Sequence, residues 1–206
     1  FPDYLPQDEN ARRFAIIERA IQYAAKAHKG AVRKGSSVPY IAHPMETMML
    51  VASMTSDNEV IAAAALHDVV EDTPITIAQI EQEFGATIAT YVAHESENKR
   101  EDRPKSETWK IRKQEQLEKT RHASRFVKCI MLADKLSNMR ASLRDFKKDG
   151  RQIWNKFNMK DEREQYWYYH EVADVVKELE DTACYQEYIS ILQEVFGALD
   201  KEMHGD

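Results

Sequence analysis

The stretch NEVIAAAALHDVVEDTP, residues 58–74, limits the possible folds more tightly than any other part of the chain. From Val60 to Leu66 it is apolar on every side, so a helix there has no face to give to water and must be enclosed by other helices. His67, Asp68, Glu71 and Asp72 then follow within one and a half turns. Thr73 stands before Pro74, which biases it out of the α region and ends the run. Successive helix residues lie about 100° apart, so these four side chains share a continuous face of roughly 140°, with Leu66, Val69 and Val70 on the other side. One turn upstream that face carries Val60 and Ala64, so the cluster does not continue an exposed charged stripe. A helix C-terminus disfavours carboxylates and favours cations. Three acids there call for a positive partner.

The rest of the chain reads as helices of ordinary length. Residues 11–29 place Phe14, Ile17, Ile21, Ala24 and His28 at helical spacing up to Gly30. KGAVRKGSSVPY (29–40) is a basic, turn-rich loop, and Pro44 suits a first helical position, which puts His43 at a helix start. Ser56 and Glu59 have capping-box spacing ahead of the alanine-rich helix. Short helices are expected before Gly85 and over 86–100, with a loop around Pro104. FVKCIMLADKLSNMRASL predicts a buried helix, and two acidic, aromatic helices follow Gly150. The fold class is therefore all-α, a bundle of about eight to ten helices with no convincing strand.

At 206 residues the chain is expected to form one domain, 1–206, with 146–206 as its C-terminal helical part. No run of apolar residues is long enough to span a bilayer and no secretory pattern opens the sequence, so membrane and secretion are not expected. Cys129 and Cys184 lie far apart without metal-knuckle spacing, which predicts reduced thiols and a cytoplasmic protein. A net charge of −6 argues against nucleic-acid binding. The charge is uneven: residues 98–128 carry eleven Lys/Arg against five Asp/Glu, enough to face an anionic ligand or to form a mixed-charge solvated helix.

A mixed set of imidazole and carboxylate suits a divalent transition metal better than Ca²⁺. His67 and Asp68 need other elements to complete its shell. His43, at a helix start, and Asp134, placed in a mostly buried helix where an unpaired carboxylate is costly, are the two candidates. Taken singly, His43 fits a capping or core histidine, and Asp134 fits a partner of Lys135 or Arg140; together the three places favour a metal site.

RKGSSVPYIAHP (33–44), ALHDVVEDT (65–73), FG (84–85) and ADKLSNMR (133–140) resemble the motif set of the HD-domain alarmone hydrolases. That family comprises the hydrolase half of the RelA/SpoT-type proteins and the stand-alone small alarmone hydrolases, including the Mesh-type proteins. The resemblance covers about residues 11–145 and implies an all-helical HD fold, a single Mn²⁺, and removal of the 3′-pyrophosphate from (p)ppGpp. It makes His43, His67, Asp68 and Asp134 the metal ligands, and Glu71 and Asp72 the pair that orients and deprotonates the attacking water. Arg33, Lys34 and Lys135 go to the substrate phosphates, and Asn138, one turn beyond Asp134, helps hold the nucleotide near the reacting centre. The same roles follow from general chemistry, since a metal lowers the pKa of bound water and a nearby carboxylate accepts its proton.

This chain departs from the long bifunctional enzymes in three ways. Its loop from Arg33 to His43 is longer by one residue, Ala141 stands where they usually have a polar residue, and 94–114 is richer in Lys and Arg. Those departures bear on base recognition. The length leaves no room for a synthetase half, so a dedicated hydrolase is expected. Two alternatives keep the fold: phosphohydrolysis of another nucleotide, and a non-catalytic nucleotide-binding or antitoxin-like module. The run Tyr166, Trp167, Tyr168 and Tyr169 fits core or a homodimer interface better than base stacking.

Overall fold

The computed structural model describes residues 9–97, 100 and 102–205, leaving aside the side chains of 9–13 and 204. Among the described residues the regular structure is helical, apart from one isolated antiparallel bridge between Val32 and Pro39. The chain divides into two compact units, Phe1–Ser96 and Glu97–Asp206.

In the first unit, α1 (Glu9–Ala27), α2 (Ala42–Met54) and α6 (Ala86–Glu95) pack around α3 (Asn58–Leu66). Every residue of α3 from Val60 to Leu66 is buried, as its all-round apolar sequence requires. Full burial of Leu66 alone contributes about 1.5–3 kcal/mol. Ala20 and Ala24 of α1, with no exposed surface, join the four alanines of α3 in the core, and such short side chains allow helices to approach closely. The cap of α3 is Asp57 and not Ser56: its Oδ1 accepts from the Glu59 and Val60 amides at 2.9 and 3.3 Å. The helix also ends earlier than its sequence suggests. It stops at Leu66, His67 and Asp68 form a turn, and a single-turn α4 (Val69–Asp72) follows. Asp68, at φ −94° and ψ −6°, lies in the bridge region, where active-site residues are often found.

Thr76 and Gln79 form a capping box that starts α5 (Ile77–Phe84), and Gly85, at φ +89° and ψ 167°, lets the chain turn directly into α6. Helix α6 ends at Glu95, with Ser96 as its extended C-cap, short of the expected 100. Ahead of α2, the bridge and the turn at Gly35 (φ +71°) bring Tyr40 back beside Ala31, through Tyr40 N–H donating to Ala31 O at 2.9 Å.

In the second unit, α8 (Arg125–Asp149) is the spine, packed against α9 (Glu162–Val175), α10 (Ala183–His204) and the 3₁₀ turns at Gly150–Lys156 and Lys177–Leu179; α7 (Lys105–Arg121) lies against α9. Leu132, Leu136, Met139, Tyr188, Leu192 and Phe196 form its fully buried centre, with Trp154 stacked on Phe196 at 5.3 Å. Ser124, Asp161 and Thr182 cap α8, α9 and α10.

The basic stretch follows the solvated-helix reading more than the anionic-ligand one. Lys110 pairs with Glu164, Arg121 with Asp174, Arg125 with Asp181 and Lys128 with Glu178, while Arg112 and Lys113 share Glu97. Acids of 161–206 are thus partners for the bases of α7 and α8. Asn98, Lys99 and Glu101 of that stretch lie outside the described residues. No helix among the described residues is long and apolar enough to cross a membrane.

Candidate active site

In the first unit, the end of α3 and the start of α2 bring His43, His67 and Asp68 together. Both histidines are buried, and their rings meet edge to face with centroids 5.2 Å apart. Asp68 Oδ2 lies 3.0 Å from His67 Nε2 and 3.4 Å from His43 Nε2. The Nδ1 of His67 lies 2.8 Å from Ala64 O, so Nδ1 carries the proton and donates it to that carbonyl. A neutral ring then presents its Nε2 lone pair to a carboxylate oxygen. Two acceptors face each other across 3.0 Å, and only a cation between them reconciles the contact. A proton does this by making imidazolium; a divalent metal does it by taking both as ligands.

Burial works to raise the pKa of Asp68, but the charge on His67 and hydrogen bonds from His43 and His67 outweigh it and hold the carboxyl well below the ordinary carboxylate range. The residues present fit a metal: two buried imidazole nitrogens and one ionised carboxylate converge, and a carbonyl fixes the tautomer of one ring as it does in metal sites.

Glu71 and Asp72 come one turn later on α4, the first half-buried and the second exposed. Arg33 is half-buried and Lys34 exposed, in the turn closed by Ser36 N–H donating to Arg33 O at 3.1 Å and Arg33 N–H donating to Val38 O at 3.0 Å. Both stand on the loop predicted for them, ten residues or fewer before His43.

In the second unit, Asp134 is buried on α8, as its apolar surroundings in sequence suggest. Its carboxylate accepts from Lys135 Nζ on one oxygen and from Asn138 Nδ2 at 2.8 Å on the other. Lys135 is therefore a partner of the kind that chemistry asks of a buried aspartate, while Arg140 forms a two-pronged pair with Glu187, at 2.6 Å on both prongs. Tyr168 and Tyr169 are buried, so that part of the aromatic run is core. Lys113 Nζ lies 4.9 Å from the centre of the Tyr168 ring and Lys135 Nζ 5.9 Å from it.

Two residues beside the histidine cluster escaped the sequence reading. Tyr40 Oη donates to Asp68 Oδ2 at 2.6 Å, and the His28 ring packs on the Tyr40 ring at 4.8 Å. The available signal for Tyr40 is a phenol three residues before a His-Pro helix start; His28 sits at an apolar helical position, where it reads as core.

A family model described as HD domain matches residues 20–162. The guanosine-3′,5′-bis(diphosphate) 3′-pyrophosphohydrolase MESH1 of Danio rerio is 37% identical over 134 residues, which cover 64% of this chain and 71% of that protein. MESH1 of Xenopus tropicalis is 34% identical over 171 residues, 82% of this chain and 87% of its own. Among solved structures, a metazoan ortholog of SpoT, described as hydrolysing ppGpp and playing a role in starvation responses, superposes with a TM-score of 0.67. It is 26% identical, and the match covers 93% of this chain and 97% of that one.

Proposed function

The chain belongs to the HD-domain family and, within it, to the MESH1 group of guanosine-3′,5′-bis(diphosphate) 3′-pyrophosphohydrolases, and from that premise we propose that it hydrolyses (p)ppGpp to GDP or GTP plus pyrophosphate. The observation that carries the reading is the convergence of His43, His67 and Asp68 in the part of the chain where the family's motifs fall.

His43, His67, Asp68 and Asp134 are assigned to one divalent metal, with Mn²⁺ as the ion. When bound, it supplies Lewis acidity, lowering the pKa of a water and polarising the phosphoryl group. Glu71 and Asp72 would orient the attacking water and accept its proton as its oxygen bonds to the phosphorus next to the 3′ oxygen. The bond from that phosphorus to the 3′ oxygen breaks, the nucleotide leaves with a 3′ hydroxyl after taking up a proton, and pyrophosphate is released. Arg33 and Lys34, on a turn in front of α2, and Lys135 neutralise the phosphate oxygens, with Arg33 able to make two parallel contacts. Asn138 donates to Asp134 Oδ1 at 2.8 Å, a bond that supports a role in holding that carboxylate as well as the nucleotide.

The HD match spans both compact units, which supports treating 1–206 as one functional domain with 146–206 as its helical C-terminal part. A cytoplasmic location is assigned from the two buried cysteines, Cys129 and Cys184, as the sequence spacing suggests for reduced thiols. No nucleic acid or membrane enters the proposed cycle, and a homodimer is compatible with it.

The test is incubation of the protein with ppGpp and Mn²⁺, with pppGpp and pyrophosphorylated adenine nucleotides in parallel, products being resolved by ion exchange beside Asp68→Ala. GDP and pyrophosphate from ppGpp, absent in the variant, are the expected products. A folded, metal-loaded protein that leaves all of these intact, or an active Asp68→Ala, refutes the proposal.

A further inference from the structure

Asp68 Oδ2 is crowded: two imidazole nitrogens and one phenol converge on that oxygen. The phenol is the one group of the three that can only donate to it. At 2.6 Å the Tyr40–Asp68 contact has the length of a charge-assisted O–H···O⁻ bond, about twice as strong as a neutral one. Asp68 needs such a hold because it stands where the helix is interrupted, so neighbouring turns do not fix its side chain. Behind the phenol, His28 packs at 4.8 Å, and in front of it the Tyr40 ring meets His43 at 5.9 Å. His28, Tyr40, His43 and His67 thus form a continuous line of rings along the buried side of the cluster.

We propose that Tyr40 is a positioning residue, whose hydroxyl, backed by the ring of His28, holds the Asp68 carboxylate in the orientation that binds the divalent metal. The inference rests on the reading of His43, His67 and Asp68 as ligands. One further feature supports it. His28 is buried with no hydrogen-bond partner for its Nε2 among the described residues, a cost that a purely packing ring such as Phe would not carry. Burial lowers its pKa despite the pull of Asp68 and Asp72, so it stands behind Tyr40 as a neutral ring.

The deciding variant is Tyr40→Phe in the full chain, which keeps the ring stack and removes only the hydroxyl. The protein is stripped with a chelator, Mn²⁺ is titrated calorimetrically, and the melting temperature of the metal-free form is measured alongside. Loss of a partner to a ligating side chain typically weakens metal affinity about 10–100-fold, and that rise in Kd is expected. A merely structural tyrosine would lower the metal-free melting temperature and leave the Kd alone. His28→Ala, which keeps the hydroxyl but removes its backing, is expected to raise the Kd by a smaller factor. Wild-type Kd in both variants overturns the inference, while loss of binding in Asp68→Ala then leaves the ligand reading standing. No Mn²⁺ binding by the wild type overturns both.

Discussion

Glu97 is the most exacting test of how the second unit is held together. Its side chain is 7% exposed, and its two oxygens take Arg112 Nη1 at 2.5 Å and Lys113 Nζ at 2.6 Å. Burial alone would raise its pKa, but the charge and hydrogen bond of Lys113, then the charges of Lys135 and Arg112, bring it below the ordinary value. Glu97→Gln keeps the shape and removes the charge, leaving two largely buried cations facing a neutral amide. Removing one partner of a buried pair costs about 3–5 kcal/mol. The amide oxygen can still accept one bond, so the lower end, ~3 kcal/mol, applies. At roughly 2–4 °C per kcal/mol for a chain of this size, the melting temperature should fall by about 6–12 °C.

The pH dependence has a definite sign. A carboxyl whose folded pKa is depressed contributes stability that is present above its unfolded pKa, about 4.3, and lost as pH falls through the folded value. The difference between wild type and Glu97→Gln should therefore hold steady through neutral pH and close on acidification below that range. Lys113 behaves in the opposite sense. Burial lowers its pKa, but Tyr168 and Glu97 raise it to a net value above the ordinary one, so its share fades only as pH rises through that value. Trp109, Trp154 and Trp167 all lie between Glu97 and Asp206, so urea unfolding followed by tryptophan fluorescence reports on this unit. Equal stability of the two proteins at neutral pH, or a gap that persists unchanged in acid, would refute the reasoning.

Two further predictions concern the first unit. Asp72→Asn should lower kcat for ppGpp by roughly 10²–10⁴-fold, the usual worth of a positioned base, with the calorimetric Mn²⁺ Kd near that of wild type; an unchanged kcat removes Asp72 from the proposed chemistry. Gly85→Ala should cost about 1–3 kcal/mol, because φ +89° with ψ 167° is open essentially to glycine alone; the space around a Cβ is clear, so the loss is backbone strain and not a clash. Thermal melts of that variant measure the cost directly, and an unchanged melting temperature contradicts it.

The parts of this molecule that local sequence controls were readable from it. Val60–Leu66 must be buried because no face is polar, and Gly30, Gly85 and Gly150 stand at helix ends where positive φ is needed. Pairings between distant residues were not. Nothing local ties Glu97 to Arg112 and Lys113, or Arg121 to Asp174, so the local positive charge of 98–128 was open to an anionic ligand until Glu97, the acids of α9 and those just after it, Glu178 and Asp181, stood beside it. The break at His67–Asp68 was hidden for another reason. His67 keeps helical dihedrals and Asp68 shifts only as far as the bridge region at negative φ, so no glycine or proline marks the interruption. The cap fell on Asp57 where Ser56 has the spacing, because a carboxylate one residue on reaches two amides at once.

That break is also where the fold and the proposed chemistry meet. Helix α3 gains its stability by excluding water from every face, yet its last turn hands over to groups that carry charge. A carboxylate at that point is costly unless its lone pairs are filled; Tyr40 donates to Oδ2, and His43 and His67 bring ring nitrogens to 3.4 and 3.0 Å from it. Since the Nδ1 proton of His67 is committed to Ala64 O, its Nε2 can serve Asp68 only through a shared cation. The arrangement is self-consistent as a protonated cluster and better satisfied with a divalent ion, so metal binding should raise the melting temperature of the wild type. The gain follows from mass action, about 2.7 kcal/mol when the free ion is at one hundred times its Kd. Tyr40→Phe should reach the same gain only at a proportionally higher Mn²⁺ concentration, which separates weakened affinity from damage to the fold.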